Sequence, residues 1–180
     1  YYILILSNRL REQNASRLLK RIGQSLIGLA ALYLIVCSTL RGVSAGHIPL
    51  SNGFETMQFL ALTILLIAFF LCWHSDLFLS FGMLSSGLAL MVSVMGESNP
   101  QMTPLMPVLS SPLLSIHVIV MMLSYTLFCF LFFNGITGLV LLRKGKPTQQ
   151  LTQLSRLLLY PALFLLTAGI FIGAVWANIS

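Results

Sequence analysis

Five long stretches of this chain, about 22–40, 57–73, 77–95, 113–142 and 157–176, run without a single Asp, Glu, Lys or Arg. A helix rises about 1.5 Å per residue, so about 20 apolar residues cross the roughly 30 Å of hydrocarbon in a bilayer. In lipid every backbone N–H and C=O must be satisfied internally, which leaves helices and closed barrels as spanning structures. The alternation of apolar and polar residues that a barrel strand requires is absent from all five stretches. The expected fold is therefore all-α: a polytopic bundle of five transmembrane helices. Composition agrees, because charged residues make up 8% of the chain where a soluble domain carries about 25%.

The charges that remain report topology. Arg9, Arg11, Arg17, Lys20 and Arg21 precede the first full span, and Arg143, Lys144, Lys146 and Arg156 lie around the connection between the last two. If all five spans cross, these nine of the ten bases fall on one side, leaving Arg41 on the other. The positive-inside rule then assigns residues 7–21 and 143–156 to the cytoplasm, and loops 41–56 and 96–112 to the outside. Residues 73–76 are expected to form a tight inner hairpin. A net charge of +6 confined to short loops is membrane topology, and no basic face interleaved with aromatics suggests a nucleic-acid partner.

Tyr1 to Leu6 reads as the end of a preceding helix whose beginning is missing, followed by a basic loop to residue 21. No basic start, short apolar core and small-residue cleavage site occur in the order of a secretory signal. The chain stops at Ser180, where the last apolar run leaves the membrane, so it reads as a piece of something longer. Cys37, Cys72 and Cys129 are far apart within apolar runs and form no Cys-x-x-Cys, which leaves a thiol redox motif or structural zinc site without support. The spans carry no ionisable Asp, Glu, Lys or Arg of the kind proton and ion carriers use. Gly169 and Gly173 make a small-xxx-small pair that lets another helix of the bundle approach closely.

The chemistry is then expected in the outer loops. In Gly46-His-Ile-Pro-Leu-Ser-Asn-Gly-Phe-Glu-Thr-Met57, Asn52 and Glu55 have the spacing of a capping box. That leaves His47 as the residue of this loop with metal-ligand chemistry. In the second loop and the helix it enters, Met106 to Tyr125, His117 stands 26 residues before Arg143, or about 39 Å along a helix. This places the imidazole at the outer edge of the hydrocarbon, where it either ligates a flat apolar molecule or hydrogen-bonds at the interface. Met121 and Ser124 share its helical face by i+4 and i+7 spacing; Met121 is either a thioether ligand or packing.

These loops resemble the cytochrome c synthase membrane proteins of the system II haem-attachment pathway, the CcsA type. The resemblance rests on Gly46-His-Ile-Pro-Leu-Ser-Asn-Gly-Phe-Glu55, on Pro107-Val-Leu-Ser-Ser111, on Ser115-Ile-His-Val-Ile-Val-Met-Met-Leu-Ser-Tyr125 and on Gly173-Ala-Val-Trp-Ala-Asn178. Gly53-Phe54 departs from the family's more usual aliphatic–aromatic pair. Membership implies that residues 22–180 are part of a larger cytochrome c assembly domain. It implies haem as the bound group, His117 as an axial ligand of the haem iron, and His47 and Trp176 as further cofactor-binding candidates. Partners so implied are haem, an apocytochrome c carrying Cys-x-x-Cys-His, and a partner membrane subunit or fused domain. The implied activity is that of a haem lyase in a bacterial inner membrane or its organelle equivalent. The tryptophan-rich haem loop and a second outer histidine would follow Ser180, so this segment alone is not expected to be active. A polytopic permease without cofactor fits the hydropathy equally well, and a purely structural membrane subunit fits the uncharged spans but not the loop motifs.

Overall fold

A computed structural model describes residues 13–72, 76–96 and 111–179, with side chains from 18 onward and excepting Asp76. Five helices follow in chain order: α1 Gln13–Ala45, α2 Gly53–Leu71, α3 Asp76–Gly96, α4 Pro112–Arg143 and α5 Gln149–Ile179. Among the described residues there is no strand, and all five helices are long and apolar enough to cross a membrane. The expected helical membrane bundle is what the chain forms.

The helices run longer than the apolar stretches suggest. α1 begins nine residues before position 22 and ends five after position 40, and α5 begins eight residues before 157. Hydropathy marks only the part of a helix that sits in hydrocarbon; polar residues such as Gln13 and Gln149 continue the same backbone hydrogen bonding outside it. The expected stub at Tyr1–Leu6, the hairpin at 73–76 except the first residue of α3, and residues 97–110 with most of the Pro107–Ser111 motif lie outside the described residues.

Small residues set how closely the helices pack. Gly82 of α3 lies against Ala68 of α2, and Gly23 of α1 accommodates the Leu79 side chain of α3. Ile27, Ile64, Leu79, Phe81 and Phe130 are fully buried where α1 to α4 converge. Phe78 meets Phe130 edge-on at 5.6 Å between centroids, and Phe81 stacks on Phe133 at 5.7 Å, joining α3 to α4. Hydroxyls supply the polar links: Thr63 of α2 and Thr126 of α4 are buried 2.8 Å apart, the kind of bond that joins helices in lipid. Helix α5 packs chiefly on α4. There Asn134 Nδ2 donates to Leu151 O at 2.8 Å and to Ser155 Oγ at 2.7 Å, and Ser124 Oγ donates to Ala162 O at 2.9 Å.

Large apolar side chains, among them Tyr33, Leu40, Phe132, Leu139, Phe164 and Phe171, point outward, as they must when lipid is the solvent. Residues 46–50 share a cleft with Ile119 near the start of α4, and His117 beside it meets Gly169 and Gly173 near the end of α5. The turn between α1 and α2, the start of α4 and the end of α5 thus share one end of the bundle. Lys20, Arg21 and the turn Arg143 to Lys146 occupy the opposite end. Both described basic clusters thus share an end, as the charge pattern requires.

Candidate functional site

His117 is the sixth residue of α4, whose first position is Pro112. Proline suits a helix start because its missing N–H is one the helix leaves unpaired there anyway. One turn and a half in, the imidazole is partly buried against α5. Its Nδ1 lies 2.7 Å from the carbonyl oxygen of Gly169. A carbonyl can only accept, so Nδ1 carries the proton and donates it. The other nitrogen, Nε2, has no hydrogen-bond partner among the described residues, and in the neutral ring it holds the lone pair.

The ring has a seat made by absence of side chain. A Cβ on Gly173 would lie 2.6 Å from His117 Cε1 and 2.7 Å from Nδ1, and one on Gly169 would lie 2.6 Å from Met121 Sδ. The i, i+4 pair His117 and Met121 on α4 therefore fits the i, i+4 pair Gly169 and Gly173 on α5, and Ser124 extends the same contact to Ala162. This is the intramolecular role expected of the small-xxx-small motif. It also gives Met121 a packing contact, with its sulfur directed at Gly169.

Trp176 stands three residues beyond Gly173 on α5, a spacing that keeps it on the same side of the helix. Its indole Nε1 is buried and has no hydrogen-bond partner among the described residues. An unpaired buried donor carries a cost of about 1–3 kcal/mol, and a ligand acceptor would remove it. Together the free imidazole nitrogen, held by the glycine seat, and the orphan indole N–H could receive a group that offers a metal centre and a hydrogen-bond acceptor. Among the described residues no cluster of His, Cys, Asp and Glu suits a bare metal ion.

His47 is not brought to His117. It lies in the turn between α1 and α2, with Nδ1 3.0 Å from the carbonyl oxygen of Ile48. This ring lines a separate cleft of about 620 Å³ between α1 and α2, to which α4 contributes Ile119. Two residues along a helix turn the side chain by about 200°, so Ile119 and His117 address opposite sides of α4.

The turn that carries His47 is held more firmly than a capping box would hold it. Asn52 Oδ1 accepts from Glu55 N at 2.9 Å, as expected. Glu55 departs from that expectation: its Oε2 accepts from Ser51 N at 2.8 Å and Ser51 Oγ at 2.7 Å rather than from Asn52 N. Its Oε1 meets Arg41 Nε at 2.5 Å, with the two side chains only 9% and 2% exposed. Arg41 also lies over the Phe54 ring at 5.4 Å. A residue expected to matter only as the lone outer base is thus half of a buried ion pair joining the end of α1 to the start of α2. The sequence signal was the presence of a single Arg and a single Glu flanking one short apolar loop. What it lacked was the fold-back that makes them neighbours.

Comparison with known proteins gives the chain a family. The family model described as Cytochrome C assembly protein matches residues 50–180. Protein NrfI of Wolinella succinogenes is 34% identical over 165 residues, covering 87% of this chain and 18% of that protein. Cytochrome c biogenesis protein CcsA of Chlamydomonas reinhardtii is 30% identical over 172 residues, covering 87% of this chain and 49% of that protein. The CcsA of Guillardia theta is 30% identical over 188 residues, covering 87% and 62%. The chain therefore spans between about a fifth and three fifths of the length of these relatives. With a family model covering well over half its length and a helical membrane fold to match, this chain belongs to the cytochrome c assembly protein family, of the CcsA type.

Proposed function

We propose that this chain is part of a membrane protein that holds haem at the end of the bundle bearing His117 and presents it for covalent attachment to apocytochrome c. The observation that carries this reading is the 2.7 Å contact of His117 Nδ1 with Gly169 O. Metal-ligating histidines commonly donate their other ring N–H to a carbonyl, which sets the tautomer and raises the basicity of the ligating nitrogen. Here that arrangement leaves Nε2 free, and it would ligate haem iron from a ring that Gly173 keeps in place. Trp176 contributes its indole N–H as a donor to the haem periphery.

Haem is the substrate in this reading and supplies the reactive vinyl groups. Each cysteine thiol of a Cys-x-x-Cys-His motif adds across one vinyl: an S–H bond breaks, a C–S bond forms, and the proton goes to the neighbouring carbon. The chain's contribution is to ligate, orient and hold. The basic end of the bundle lies in the cytoplasm and the His117 end outside, in a bacterial inner membrane or its organelle equivalent, with a further membrane subunit or fused domain completing the synthase. The family match favours this reading over a cofactor-free permease.

The test is His117→Ala in the full-length protein. It is expected to insert normally but to lose haem absorbance and cytochrome maturation, and His117→Gly is expected to recover both in part when free imidazole is added. Wild-type haem spectra in a correctly inserted His117→Ala protein would reduce this histidine to an interfacial hydrogen-bonding residue.

A further inference from the structure

The cleft at His47 is a second place where this end of the bundle presents an imidazole, here to an apolar space. Ile35 and Gly42 of α1, Pro49 of the turn, Phe59 and Leu62 of α2, and Ile119 of α4 form its walls. Its volume of about 620 Å³ falls in the range of roughly 300–1,000 Å³ typical of small-molecule sites. An apolar groove facing lipid would mean little by itself. The build of the turn says more.

Gly46 adopts φ +71, a conformation that costs glycine little, and its N–H closes the end of α1 on Gly42 O at 2.9 Å. Pro49 then folds back onto Gly42, so close that a Cβ there would sit 3.2 Å from Pro49 Cδ. Beyond it the Ser51, Glu55 and Arg41 contacts tie the turn to both helices. A buried ion pair adds little net stability, and its best-attested use is to specify one arrangement over others. The arrangement specified here sets His47 at the cleft. Its Nδ1 donates to Ile48 O, and Nε2 has no hydrogen-bond partner among the described residues. That is the same division of ring nitrogens found at His117.

We propose that the His47 cleft is a second haem-binding position, in which His47 Nε2 ligates iron and the α1–α2–α4 walls cover the apolar macrocycle. Because Ile119 and His117 address opposite sides of α4, one haem cannot use both histidines, and this position serves to hold a separate haem. The proposal rests on the reading of the protein as a haem handler, but not on the role of His117.

The experiment is a haemin titration of the full-length protein in lipid nanodiscs, followed by Soret absorbance and by the haem-to-protein ratio. His47→Gln keeps a polar side chain in the turn and is expected to lower the ratio by one haem per chain, or to weaken that haem at least tenfold. Ile119→Trp, which fills the cleft and spares the imidazole, is expected to lose the same equivalent, and His47→Met to shift its Soret band. Wild-type stoichiometry and spectra in all three variants would overturn the proposal and leave the cleft to a lipid acyl chain. Loss of haem in His117→Ala with no change in His47→Gln would uphold the proposed function and reject the second position. The reverse pattern would uphold the second position and reject His117 as ligand. No haem bound by the wild type would end both.

Discussion

His117 Nδ1 and the carbonyl oxygen of Gly169 lie 2.7 Å apart, joining α4 to α5 across 52 residues of sequence. A helical carbonyl has two lone pairs, so Gly169 O can accept from His117 while keeping its own place in the helix. Gly173, one turn further on, leaves the space that the ring occupies. Orientation of the imidazole is thus a property of α5 as much as of α4.

Gly173→Ala tests that seat. Its Cβ would meet ring atoms at 2.6 and 2.7 Å, and the ring is tethered, so the helices must part at a cost of about 1–3 kcal/mol. A lower unfolding midpoint in detergent and an altered spectrum of bound haem are expected. Gly169→Ala meets the far end of Met121 instead, a flexible thioether that can move aside, and is expected to be milder in both measurements. Equal effects at the two positions would argue against a seat specific to His117.

The Arg41–Glu55 pair offers a second test. Replacing Arg41 with Met leaves the Glu55 carboxylate buried without its cation, which costs about 3–5 kcal/mol when such a pair is broken. Arg41→Met with Glu55→Leu removes both charges and is expected to recover most of that loss. A double-mutant cycle on thermal unfolding reads the coupling, and strictly additive single effects would show that the pair does not act as a unit.

Close approach of α2 and α3 depends on Gly82. Alanine there drives its methyl into that of Ala68, and a loss of about 1–3 kcal/mol is expected from overpacking. Ala68→Gly in the same chain makes room again and is expected to restore much of the stability. Failure of this second substitution to compensate would locate the strain elsewhere.

Sidedness can be read by labelling single cysteines in intact cells. A cysteine at Lys146 is expected to react only after the membrane is opened, and cysteines at Asn52 and Ser110 to react from outside. External labelling at Lys146 would reverse the orientation and move the His117 end to the cytoplasm.

Much of the fold could be read without coordinates, because lipid imposes a one-dimensional rule. Twenty apolar residues in a row have few other solutions, and interfacial bases mark a side whatever their partners are. The i, i+4 face of His117 and Met121 and the Gly169–Gly173 pair were visible for the same reason: helical periodicity places them before any packing is known. What the periodicity does not carry is register. Nothing local states that Gly173 rather than Leu166 meets His117, or that Arg41 and Glu55 fold onto one another.

The five helices of the described residues, the class of solvent and the shared end of the basic clusters were therefore determined by the sequence itself, since they follow from hydrogen-bond closure, hydrocarbon thickness and the placing of bases along the chain. The tertiary structure alone decided that His117 donates Nδ1 to Gly169, that His47 faces a different cleft, and that Arg41 is buried with Glu55. Those contacts depend on how helices separated by many residues slide and turn against each other. That choice is settled by close packing of small and large side chains, where ångström-scale fit outweighs any local preference.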